Sequence, residues 1–321
     1  MTGAIGTAVE VFVSGMAKAS LYAMMALGLT LIFGLLGVLN FAHGSLTMAG
    51  AYVAGLVMVT FGTGGGLAAV AWFMVAALVA AVLVGGVGAV MEVGLIRKLY
   101  DRPPIYQILL TFGVTLVIDE LARIVVLFYG VQPRADWRTP IGTKPGFIDS
   151  NTSLLGASVP HLEVFQLAFG LLTVVAVWAF LTQTRYGLVV RAGSEDDEMA
   201  AALGVDVRRV FTVVFALGAG LAGLAGALLM WDSAWGASVP LASETLLPAF
   251  VVVIVGGLGT FRGTVIAAVL VGMVDAVTTY FFNEGIITFS GISELTIFLI
   301  LVGVLVVRPQ GIAGLAEVGG H

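Results

Sequence analysis

The chain has no cysteine. That excludes disulfides, thiolate metal sites and covalent haem attachment together, and leaves the redox compartment open. It is also poor in charge: only 10% of its 321 residues are Asp, Glu, Lys or Arg, against about 25% in a soluble domain. A water-exposed surface cannot be tiled from so few ionic groups, so a soluble enzyme, a nucleic-acid binder and a disordered scaffold are excluded. What is abundant is apolar. Sixty per cent of the residues are hydrophobic and the mean hydropathy is +1.10, enough for about eight or nine membrane spans of about 20 residues each. Glycine is plentiful as well, at 43 residues, and small residues let helices approach closely in lipid, where no hydrophobic effect drives them together.

No cleavable leader is expected, because Glu10 stands where a positive n-region belongs and no small-residue cleavage site follows. Apolar runs of near-spanning length lie at about 11–39, 44–61, 72–96, 105–129, 164–182, 210–230, 245–258, 264–282 and 291–307. The expected fold is therefore all-α: a polytopic membrane bundle of about eight or nine transmembrane helices forming one domain over 1–321. Basic residues orient it. Of 14 positives, nine (Arg97, Lys98, Arg102, Arg185, Arg191, Arg208, Arg209, Arg262 and Arg308) fall in alternate loops, which are cytoplasmic by the positive-inside rule. Nine spans then put the N-terminus outside and the C-terminus in the cytoplasm. The opposite side holds a long connection, about 130–163. Its Pro, Gly, Ser and Asn content predicts an exposed segment with a short hairpin, either a solvated connector or a docking surface for an external partner.

Two apolar segments are interrupted. The first interruption is Asn40-Phe41-Ala42-His43-Gly44-Ser45 and the second is Val255-Gly256-Gly257-Leu258-Gly259-Thr260, which follows a short run containing Pro248. Irregular backbone at membrane depth survives only when buried in protein or facing a water-filled cavity. Paired interruptions also point to the path in repeat-built transporters. Asn40, His43, Ser45, Gly256, Gly257 and Gly259 are accordingly candidates for a translocation path, with an internal inverted repeat as one reading and two tight cytoplasmic turns as the other. His43, with no carboxylate cluster beside it, is no metal ligand on this pattern.

Ionisable residues inside spans are functional candidates by default. Asp275, without a charged neighbour in its own span, is expected either to line the path or to bond helix to helix. Asp119 and Arg123 are spaced for an i,i+4 pair, while Lys18 and Glu92 lie nearer span ends and are expected to snorkel.

The segment Thr184–Phe215 is the long charged cytoplasmic stretch. Within it, Ser194 reads as a helix cap with Glu195 and Asp196 in the first turn. Met199, Ala202 and Leu203 share a face, and Gly204 is a stop. Such a short amphipathic helix could fill a groove on another protein.

At these residues the chain resembles a known family. Glu198-Met199-Ala200 followed by Gly204 is similar to the E-A-A-x-x-x-G loop of ABC-importer membrane subunits, with Met for the first Ala. The segments NFAHGSLTMAGAY from Asn40, LYDRP from Leu99, FALGAGLAGLAGALL from Phe215, GGLGT from Gly256 and the terminal VVRPQGIAG together resemble the permeases of branched-chain amino acid ABC importers, the LivH type of the LivH/LivM family. The chain departs from the pattern in an Asp inserted in the LYDRP turn, in lacking I-x-L-P after the E-A-A-like stretch, and in Lys18.

The resemblance implies a type II-like ABC importer permease of the plasma (inner) membrane, with no cofactor and no catalysis of its own. The absence of a G-x-x-x-x-G-K-[ST] phosphate loop agrees. Implied partners are two cytoplasmic ATP-binding subunits, a second permease forming a heterodimer, and an extracytoplasmic amino-acid-binding protein. The cytoplasmic loop, about 183–209, would couple to the ATPases through Arg191, Glu198, Ala200, Ala202 and Gly204. Leucine, isoleucine and valine are the implied cargo. Urea, short amides or other amino acids fit the same architecture, and an ion-coupled secondary transporter using Asp275 or the Asp119/Glu120 pair is the alternative of another class.

Overall fold

The computed structural model describes residues 2–62, 66–130, 147–195, 199, 201, 204–232, 235–289 and 291–314. Its helices are α1 Thr2–Leu36, α2 His43–Phe61, α3 Leu67–Gly94, α4 Pro104–Tyr129, α5 His161–Gln183, α6 Arg185–Glu195, α7 Val207–Leu229, α8 Leu241–Gly256, α9 Phe261–Asn283 and α10 Ile292–Val307. Each expected apolar run is a helix, because in lipid a backbone must satisfy its own hydrogen bonds. Among the described residues, six stretches are long and apolar enough to cross a bilayer: α1, α2, α3 with the turn to Leu99, α5, α7 and α9. α8 and α10 have 16 residues each, about 24 Å of helix against a core of about 30 Å. α4 is long but carries Asp119, Glu120 and Arg123.

Local chemistry sets the boundaries. α4 starts at Pro104, whose fixed φ and missing N–H suit a first turn. It stops at Gly130, whose N–H donates to Leu127 O at 3.3 Å. In the long connection, β1 Asn151–Leu154 and β2 Ala157–Pro160 pair antiparallel, which is the expected hairpin.

The described chain falls into two compact units. The first draws on Met1–Thr30, Ile148–Val175 and Leu247–His321. Within it a Cβ on Gly272 would overlap Ala19 backbone, one on Gly170 would overlap Ser20, and one on Gly6 would lie 2.8 Å from the Gly156 carbonyl. Small residues thus hold α1 against α9, α5 and the hairpin. Ser14 Oγ donates to Glu163 Oε1 at 2.8 Å, in the first turn of α5. The first turns of α1 therefore extend past the start of α5, and the hairpin packs there.

The second unit draws on Leu31–Phe147 and Ala176–Leu246. Its centre is α2, α3 and α7, crossing where Gly50 meets Gly223, Gly226 meets Thr47, and Gly88 meets Ala219. Ile32, Leu46, Val84, Met91, Phe215 and Ala222 fill the core beside these crossings. Phe73 stacks on Trp231 with ring centroids 4.3 Å apart.

Candidate functional site

The first interruption is held together from α4. α1 ends because Gly37 takes φ 65 and donates its N–H to Phe33 O at 2.8 Å. Residues 37–40 then run irregularly to α2, and their backbone groups need other partners. Asn40 supplies two: its carbonyl accepts His43 N–H at 3.2 Å and its Oδ1 accepts Ala42 N–H at 3.1 Å. Thr111 Oγ1 accepts Phe41 N–H at 3.2 Å and lies 3.3 Å from Leu39 O. Ser45 Oγ donates to Asp119 Oδ1 at 2.6 Å. Asn40, His43 and Ser45 are all buried, and Asn40 Nδ2 has no protein partner among the described residues.

A stripe the sequence reading missed serves this interruption. Gln107, Thr111, Thr115 and Asp119 recur every four residues along α4, so they lie on one helix face. The expected Asp119–Arg123 pair does not form. Arg123 Nη1 instead meets Glu120 Oε2 at 3.0 Å, with both side chains more than half exposed, while Asp119 faces α2 and takes the Ser45 hydroxyl. The four-residue polar spacing was the signal that could have found this stripe.

The second interruption is built from glycine backbone. Gly257 and Gly259 take φ 102 and 78, a region that strains any side chain. Gly256 and Gly263 pack so closely that a Cβ on Gly256 would lie 2.6 Å from Gly263 C. The last carbonyls of α8, which no helix can satisfy internally, are met by the C-terminal segment: Ile312 N–H donates to Val255 O at 2.8 Å and Ala313 N–H to Gly256 O at 3.0 Å. The GGLGT and RPQGIAG motifs, distant in sequence, thus form one joint.

Asp275 is buried in a network rather than alone. Lys18 Nζ lies 3.1 Å from Asp275 Oδ1 and donates to Thr279 Oγ1 at 2.7 Å, and Tyr22 OH donates to Asp275 Oδ2 at 2.8 Å. Thr278 and Thr279 reach Ser293 Oγ on α10 at 3.4 and 3.3 Å. Lys18 therefore does not snorkel. Its ammonium turns inward because a buried carboxylate is there to pair with.

Glu92 also departs from the snorkelling expectation. Its side chain is fully buried and accepts Arg97 Nε at 3.0 Å, Arg97 Nη2 at 2.7 Å, Tyr100 OH at 2.9 Å and Thr212 Oγ1 at 2.8 Å. Burial first, and then the neighbouring Glu92 charge, push the Tyr100 hydroxyl well above its ordinary value, so it stays a donor.

In the 183–209 loop, α6 opens behind Thr184, whose Oγ1 accepts Gly187 N–H at 3.0 Å, and the helix expected from Ser194 to Gly204 lies mostly outside the described residues. Ser194 lies in the last turn of α6. A glycine at 187 allows the tight corner against Phe180 and Leu181. Arg191 is exposed on α6, and Gly204 takes φ 87 with its N–H donating to Ala201 O at 3.0 Å. Glu198, Ala200 and Ala202 lie outside the described residues. Asp206 caps α7, accepting Arg209 N–H at 3.2 Å.

The structure thus groups Asn40, His43 and Ser45 with α4 in one unit, and Gly256, Gly257 and Gly259 with the C-terminal segment in the other, where Asp275 joins α1 to α9. Among the described residues no three of His, Asp and Glu converge as metal ligands.

Residues 11–307 match the family described as the permease component of branched-chain amino acid transport systems. The chain is 27% identical to the high-affinity branched-chain amino acid transport system permease protein BraD of Pseudomonas aeruginosa, over 95% of each chain. It is 26% identical to LivH of Escherichia coli K12, also over 95% of each. A probable branched-chain amino acid transport permease protein LivH of Methanocaldococcus jannaschii is 28% identical, over 92% of this chain and 89% of its own. No solved structure matches.

Proposed function

We propose that this chain, which belongs to the family of branched-chain amino acid transport permease components, carries leucine, isoleucine and valine inward as one of two membrane subunits of an ATP-driven importer. As a permease component it is a multi-pass membrane protein that moves solute and is not itself an enzyme. A sister permease completes the path, two cytoplasmic ATPases bind the 183–209 loop through Arg191, Glu198, Ala200, Ala202 and Gly204, and an extracytoplasmic binding protein delivers the amino acid. Residues 1–321 act as one permease domain with the N-terminus and the 130–163 connection outside, the orientation that the nine alternate-loop basic residues favour.

The observation that carries this reading is the family match from residue 11 to residue 307, which takes in both interruptions and the whole cytoplasmic loop. The chemistry of the interruptions supports it. A zwitterionic amino acid needs polar groups for its charged end and apolar wall for its side chain, and each interruption supplies hydroxyl, amide or backbone groups amid buried aliphatic residues. ATP-driven closure of the ATPases would move the loop and rock the helices between inward and outward openings. By contrast, the ion-coupled reading loses Asp275 as an unpaired site, because the charge of Asp275 is balanced by Lys18.

The test is competition for uptake in cells expressing the complete complex. Leucine, isoleucine and valine are expected to compete with one another for entry. Uptake of urea or a short amide, unaffected by leucine, overturns the cargo assignment while leaving the permease assignment standing.

A further inference from the structure

The end of the 183–209 loop is bolted to the α3–α4 corner through a single buried carboxylate. Glu92, in the last turns of α3, receives both forks of Arg97 from the short helix Ile96–Leu99, the Tyr100 hydroxyl, and Thr212 from the second turn of α7. The Thr212 hydroxyl donates to Glu92 and in turn accepts Arg97 Nη2 at 2.6 Å, and the same Nη2 lies 3.4 Å from Arg208 O. Tyr100 stands edge-on to Phe211, with ring centroids 5.3 Å apart. A paired fork fixes orientation as well as distance. Adhesion between these elements alone would be met as well by apolar residues, since a buried ion pair is often no more stabilising than a packed hydrophobic replacement. What the cluster adds is a defined geometry between the first turns of α7, which begin three residues after Gly204, and the corner that carries α4. From that corner Gln107 Nε2 reaches back to Leu99 O at 3.1 Å, and one and three turns on, Thr111 and Asp119 hold the Asn40–Ser45 interruption.

We propose that Glu92, Arg97, Tyr100 and Thr212 are positioning residues of the transport cycle, converting displacement of the 183–209 loop into joint movement of α3, α4 and α7 and so of the Asn40–Ser45 interruption. This rests on the reading that the ATPases act on that loop. The cluster touches neither nucleotide nor cargo. Its part is to prevent the loop from moving without the bundle.

The experiment uses the whole complex in proteoliposomes and measures ATP hydrolysed per amino acid taken up. Glu92→Gln and Thr212→Val are expected to keep the ATPases bound and hydrolysing while uptake falls, raising the ratio about tenfold. Arg97→Lys is expected to restore the yield of folded complex lost in Arg97→Gln without restoring the ratio, because the charge returns and the fork does not. Variants that lower yield but keep the wild-type ratio overturn the proposal, since a structural pair would behave so. Gly204→Trp serves as the reference. If it raises the ratio and Glu92→Gln and Thr212→Val do not, the positioning proposal fails alone. If Gly204→Trp also leaves the ratio unchanged, the loop reading fails with it.

Discussion

Replacing Lys18 by Met isolates the worth of the charge beneath Asp275. The Asp275 side chain is 7% exposed and that of Lys18 29%, so the pair is nearly but not wholly out of solvent. Breaking a fully buried pair by deleting one partner costs about 3–5 kcal/mol. Here Tyr22 and Thr279 remain as donors to the carboxylate at 2.8 and 3.3 Å, and partial exposure of Lys18 lowers the loss further, to about 2 kcal/mol, or roughly thirtyfold in the folding equilibrium. Asp275→Asn should cost about 1 kcal/mol, because the freed ammonium can lean toward solvent. The double variant Lys18→Met with Asp275→Asn should then be more stable than Lys18→Met alone by about 1 kcal/mol, since it removes the stranded charge. Unfolding of the purified protein in detergent, followed by tryptophan fluorescence, measures all three. A Lys18→Met variant within about 0.5 kcal/mol of the parent, or a double variant whose loss equals the sum of the singles, refutes the reasoning.

Thr111→Val keeps the volume but takes the acceptor from Phe41 N–H; a destabilisation of about 1–3 kcal/mol, read in the same unfolding assay, is expected with a loss of uptake. Gly257→Ala should be far more damaging than Gly37→Ala: both glycines have positive φ, but a Cβ at 257 would lie 2.6 Å from Gly314 N whereas that at 37 meets open space, so limited proteolysis should release the C-terminal segment only in the first. Gly204→Trp and Glu198→Lys should abolish uptake while the protein still inserts, as shown by its level in membranes. Reporter tags within 184–209 and after 308 should be accessible only from the cytoplasm, which checks the orientation taken from the basic residues.

The helices were legible because each is written in a contiguous apolar run, and the interruptions because Asn40, His43 and the glycines at 256, 257 and 259 stand out against such runs. Side-chain partners were legible only where they are local. The ends of Lys18–Asp275 and Glu92–Thr212 lie on different helices, so no periodicity within either segment could announce them. Lys18 and Glu92 read as snorkelling residues for that reason. Asp119–Arg123 failed in the opposite way: the spacing permitted a local pair, but Ser45 on another helix offered the carboxylate a buried donor. The union of GGLGT with RPQGIAG follows from orphan carbonyls at the end of α8, a need that is visible only once the helix end is in place.

The most direct test of the account is uptake of labelled leucine into proteoliposomes holding this chain with its sister permease and ATPases, with the binding protein outside and ATP enclosed. The account predicts uptake that requires both ATP and the binding protein. Uptake by this chain alone, driven by a proton or sodium gradient without ATP, would contradict it.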